Sequence, residues 1–146
     1  METPQFFIDV LINNTHFQRS LIDNSSACYA STSEKLVNRL QLETIDIEPR
    51  YIKGLLEGRS ESITKVAYAL IDIRGNHQHQ IFMYIVPHQR PDLILSRAWL
   101  QQQMAVINKA KGTLIFTMNG VTIGSLPEKK YDHRTCGAPA YSILVQ

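Results

Sequence analysis

The sequence predicts an all-β domain, a closed barrel or sandwich with one or two short helices at its corners. Three observations point there. Most apolar segments alternate with a period of two, the signature of strands with one buried face. Turn residues punctuate them at short intervals, as at Asn13-Asn14, Arg74-Gly75 and Asn119-Gly120. Strands do not alternate with long helical stretches, which excludes a doubly wound α/β sheet. The 146 residues and 44% hydrophobic content suit one compact domain. We expect it to span residues 1–124, followed by a polar tail over 125–146 that is loose or adds a terminal strand.

Phe6 to Ile12 places Phe6, Ile8, Val10 and Ile12 on one face of a strand. Asn13-Asn14-Thr15-His16 turns the chain, and Phe17 to Ile22 returns as a second arm that delivers Asp23 at its end. Ala27 to Ala30 is a short third apolar stretch. Ser31 and Glu34 have capping-box spacing, which predicts a helix over about Thr32–Leu40. Ile45 to Ile52 is extended and interrupted by Pro49, and Gly54-Leu55-Leu56-Glu57-Gly58 forms a hairpin tip.

Ser62 to Ile73 is a long strand rich in β-branched and aromatic residues. Gln80 to Val86 is apolar on both faces and so predicted central. Asp92 to Leu95 is a short buried strand, and Trp99, Leu100 and Met104 give helical spacing after it. Thr113–Met118 and Val121–Ile123 flank Asn119-Gly120 as a hairpin.

Composition narrows the function classes. A formal net charge of +2 with 19% charged residues gives no strong basic surface, so no nucleic-acid partner is expected. No apolar run approaches the roughly 18 residues of a membrane span. With no signal peptide evident, an intracellular, cytoplasmic setting is expected. Cys28 and Cys136 lack zinc or redox spacing. His77 and His79 share a strand face without a third ligand, so they read as solvent-exposed and no metal is expected.

Asp23 is the residue whose surroundings ask for an explanation. A carboxylate at the end of an apolar strand, followed by Asn24, Ser25 and Ser26, is either a turn aspartate or a site acid. A rough echo occurs downstream: Leu21-Ile22-Asp23 precedes the first helix, and Leu93-Ile94-Leu95-Ser96 precedes the second.

The order of these elements resembles the retropepsin-like aspartic proteases, most closely those of gypsy-type long-terminal-repeat retrotransposons. That family's site reads hydrophobic-hydrophobic-Asp-Thr/Ser-Gly-Ala/Ser. Leu21-Ile22 fill the hydrophobic pair, Asp23 the catalytic position, and Asn24, Ser25 and Ser26 the three that follow. The downstream signature Asp-x-Ile-Leu-Gly-x-x-Trp-Leu is similar to Asp92, Ile94, Leu95, Trp99 and Leu100, with Ser96 in place of glycine.

The resemblance implies a closed barrel carrying half a site per chain, completed by a homodimer whose two Asp23 carboxylates share a proton and a water. It implies an aspartic-type endopeptidase acting on polypeptide, without metal or organic cofactor. Gly54, Leu55, Leu56 and Gly58 would form the flap over substrate, with Asp92, Ser96 and Trp99 supporting the second loop. The replacements Asn24, Ser25 and Ser96 raise the alternative of a pseudoprotease, a dimerisation or peptide-binding module without hydrolysis.

Overall fold

The computed structural model describes residues 5–56, 59–75 and 77–126, with side chains described outside 52–61. Its elements in chain order are β1 (Phe6–Ile12), β2 (His16–Asp23), β3 (Ala30–Ser33), α1 (Glu34–Leu40), β4 (Glu43–Leu56), β5 (Arg59–Ile73) and β6 (His77–Val86). They continue with β7 (Leu93–Ser96), α2 (Arg97–Gln102), β8 (Ala105–Asn108), β9 (Thr113–Phe116) and β10 (Val121–Gly124). The expected tail beyond Leu126, with Cys136, lies outside the described residues. None of the described helices is long and apolar enough to cross a membrane.

Six strands close a mixed barrel in the order β1-β2-β7-β3-β6-β5, and β5 returns to β1 through Leu11↔Asp72 and Ile12↔Ile71. Strand β4 lies on the free part of the same β5 edge, forming a long hairpin that reaches beyond the barrel. A separate three-stranded sheet, β10-β9-β8, follows α2. Alternation explains the closure: Ile8, Val10, Ile12, Ile71, Ile73, Ile81 and Met83 are all 2% exposed or less and share one interior. Asn13 and Asn14 take positive φ (51° and 60°), as a primed two-residue turn requires, and Thr15 N donates to Ile12 O at 3.0 Å.

Four local expectations need correction. The third strand starts at Ala30 and takes in Ser31–Ser33, and α1 begins at Glu34 with Ser33 as its cap. Ser31 and Thr32 have ladder partners on both sides, β6 and β7, which outweighs their capping propensity. Strand β6 does have two neighbours, but its outward face is not buried, since Phe82 is 36% exposed. Strand β9 stops at Phe116, and the hairpin loop is the longer Thr117–Gly120, with Gly120 N donating to Phe116 O at 2.8 Å. The interruption at Pro49 takes the form of a register shift between Asp46 and Arg50, since proline has no N–H for the ladder.

Candidate active site at the end of strand β2

Strands β2 and β7 run parallel, pairing Leu21 with Ile94, Ile22 with Leu95 and Asp23 with Ser96. The two halves of the sequence echo therefore lie side by side, and both end at the same level. Ile22 is inside and Asp23 half-buried, while Asn24 and Ser25 are exposed. Ser25 folds back on the acid: its N–H and its hydroxyl both donate to Asp23 Oδ1, at 3.1 and 2.6 Å. Such donors favour the ionised carboxylate, and the hydroxyl occupies an oxygen that a substrate or catalytic water would otherwise approach.

The loop after Asp23 is braced by the start of α2. Ser96 N donates to Tyr29 O at 2.9 Å, Arg97 N to Ser26 O at 3.1 Å and Ala98 N to Cys28 O at 3.1 Å. These bonds use N–H groups that a helix start leaves unpaired, so the helix satisfies its own end by holding the loop. Ser26 Oγ accepts from Cys28 N at 3.3 Å, a local turn bond. Burial pushes the Cys28 thiol above its ordinary range, against a smaller opposing effect of Ser26, so it is not an activated nucleophile.

Ser96 is fully buried, and its hydroxyl has no partner among the described residues. Its φ of −115° is open to any residue, so the backbone there does not demand glycine. The cost of serine lies instead in an unsatisfied buried hydroxyl, about 1–3 kcal/mol for a group of this kind.

A groove of about 530 Å³ adjoins the Asp23 loop. Ser26 to Tyr29 line it from the loop, Arg50 and Tyr51 from β4, with Tyr84 and Ala98 completing it. Arg50 donates to the Tyr84 hydroxyl at 3.3 Å, and Tyr51 is 76% exposed. The β4–β5 hairpin carries the expected flap: Gly54, Leu55 and Leu56 are the last residues of β4, and Leu56 pairs with Arg59. Gly58 and the Leu55 and Leu56 side chains lie outside the described residues.

Residues 19–122 match the PEG10/RTL1 protease domain family. The chain belongs to that family. It is a retropepsin-like domain of retrotransposon-derived type. The fold is similar to the retroviral protease-like domain of Ddi1 from Leishmania major, with a TM-score of 0.61 and 16% identity, over 88% of this chain and 99% of that one. It is also similar to the EIAV protease complexed with the inhibitor HBY-793, with a TM-score of 0.54 and 23% identity, over 73% and 93% of the two chains. No curated protein matches the sequence.

In this protease domain the other expected site residues are distributed by role. Ser96 stands beside Asp23. Trp99 is fully buried in the core, and its indole Nε1 donates to His79 Nε2 at 2.9 Å. Asp92 sits at the far end of β7, where Ser33 Oγ donates to its Oδ1 at 2.7 Å while accepting from Leu36 N at 3.0 Å. Asp92 thus fixes the start of α1, four residues and roughly 13 Å of strand from the level of Asp23.

The two histidines are not the solvated pair expected from sequence. His77 stacks on Phe116 at 4.1 Å and bonds Gln103 and Asn119, and burial, then the neighbouring His77, lowers the pKa of His79 to about 4. Their parity with Ile81, Met83 and Ile85 on β6 was the available signal, masked by the turn beside them. Arg50, Tyr51 and Tyr84 carried no sequence signal, because only the hairpin and barrel closure bring them to the loop. Among the described residues no three His, Cys, Asp or Glu side chains group to hold a metal.

Proposed function

We propose that this domain is half of an aspartic endopeptidase, completed by a second copy that brings two Asp23 carboxylates together on a two-fold axis. The observation that carries this reading is the placement of Asp23 at the end of β2, level with Ser96 and next to a groove walled by the flap-bearing hairpin. The sequence holds one copy of the motif, so one chain supplies one carboxylate. Two carboxylates sharing a proton divide the chemistry: the ionised one takes a proton from water, and the protonated one donates to the scissile carbonyl oxygen. An extended polypeptide pairing with strand edges and placing alternate side chains in pockets is the substrate such a groove accepts. The reaction requires no metal or organic cofactor. The residues 1–124 act as the catalytic unit in this reading, with 125–146 as an appendage.

A second reading rests on the 2.6 Å bond from Ser25 Oγ to Asp23 Oδ1. The carboxylate is engaged by its own loop, and the dimer then serves as a peptide-binding module without hydrolysis. Incubation of the dimeric protein with an unstructured peptide library separates the two. Cleavage that Asp23→Asn abolishes supports the endopeptidase. Binding without cleavage supports the module, and a protein that stays monomeric at high concentration removes both.

A further inference from the structure

A second hollow, of about 700 Å³, opens on another flank of the barrel, between Gln18 and Arg19 of β2, the start of α1 and the loop from Pro87 to Asp92. No part of its wall comes from the 23–29 loop or from β4. Arg19 precedes Asp23 by four residues, roughly 13 Å along the strand. The hollow is therefore separate from the candidate active site, and its volume falls in the range of ligand pockets rather than of single-ion sites.

Its chemistry is one-sided. Arg19, Lys35 and Arg90 are cations on the wall, with His88 as a further polar group, against one carboxylate, Asp92. That carboxylate already accepts from Ser33. Arg19 faces Asp9 at 3.8 Å, whereas Lys35 and Arg90 make no ion pair among the described residues. Phe7, Pro87 and Pro91 add apolar surface.

Gln89 supplies the independent observation. It is 3% exposed, and its Nε2 donates to Pro91 O at 3.1 Å and Asp92 O at 3.5 Å, which fixes the orientation of the amide. Its Oε1 is buried and receives no donor among the described residues. An unpartnered buried carbonyl is a standing cost that a donor from a ligand removes.

We propose that this hollow binds an acidic peptide segment, with a carboxylate near Lys35 and Arg90 and a peptide N–H donated to Gln89 Oε1. A peptide with a glutamate or aspartate offers both groups at once, whereas a bare inorganic anion offers no N–H. Docking here leaves the groove beside Asp23 free, so the site holds a partner or a remote part of a long substrate. It does not depend on Asp23 chemistry.

The test is fluorescence anisotropy with a rhodamine-labelled hexapeptide containing two glutamates, and with its glutamine-substituted counterpart. The glutamate peptide is expected to bind at least about tenfold more tightly, the scale of one charge-assisted hydrogen bond. Lys35→Gln/Arg90→Gln, two exposed positions whose thermal unfolding should be unchanged, is expected to lose that preference. Asp23→Asn is expected to leave binding intact. Equal binding of both peptides, binding of neither, or full binding by the double variant overturns the proposal. Displacement by inorganic phosphate at the peptide's own concentration would reduce the hollow to a simple anion site, and loss of binding in Asp23→Asn would move it to the groove.

Discussion

The ends of β2 and β7 lie side by side in parallel, and the chain treats them in opposite ways. At the end of β2, Asp23 is half-buried and its neighbours Asn24 and Ser25 face solvent. At the end of β7, Ser96 and Trp99 are fully buried, and the first N–H groups of α2 hold the neighbouring loop. Similar local sequence thus builds one open end that presents a carboxylate and one sealed end that supports it. Position on the barrel, not the motif alone, assigns the role.

This contrast predicts unequal responses to mutation. The largest belongs to the sealed end: Trp99→Ala removes a filled core volume and the bond to His79, and is expected to cost about 3–5 kcal/mol in denaturant unfolding. A cost below about 1 kcal/mol would show that this end is not the support. The next is pH dependence. His79 titrates near 4 in the folded protein, against an ordinary value of 6.5, so below pH 6.5 the unfolded chain takes up a proton that the folded one refuses. Stability should fall as pH drops from about 6.5 to 4 and level off below. Solvent screening at this half-buried site holds the loss to about 1–2 kcal/mol. In His79→Gln this part of the acid loss should vanish.

Smaller effects refine the comparison. Ser96→Ala removes the unpartnered hydroxyl and is expected to stabilise by about 1 kcal/mol, read as a raised unfolding midpoint. A destabilisation would mean that the hydroxyl is satisfied in solution. At the open end, Asn24→Ala should change stability by less than about 0.5 kcal/mol, as for exposed positions generally.

Much of this contrast was legible in the sequence, and what was not has physical causes. The barrel strands alternate cleanly, so Phe6–Ile12 and Ser62–Ile73 read correctly from periodicity. Asp23, Ser96 and Trp99 were found through the motif spacing on either side of the helices. Ser31 and Thr32 misled because capping propensity is local, while their strand pairing with β6 and β7 comes from distant chain. His79 misled because a polar residue on an inward face has no hydropathy signal. The pairing of Asp23 with Ser96 and the hold of Ser25 on Asp23 Oδ1 required coordinates, since neither parallel register nor side-chain rotamer is written in spacing. The groove residues Arg50, Tyr51 and Tyr84 meet only when the hairpin folds over the barrel.

The central claim is that the open end is an aspartic peptidase half-site restrained by its own serine. The most direct measurement is the rate of peptide-library cleavage by the dimeric wild-type protein, by Ser25→Gly and by the double variant Asp23→Asn/Ser25→Gly. Removing the hydroxyl from Asp23 Oδ1 is expected to raise the cleavage rate by at least about tenfold, within the roughly 100-fold that small displacements at a reacting centre are worth. The double variant is expected to show none. Cleavage by the double variant, or a Ser25→Gly rate no greater than the wild type's, would contradict the account.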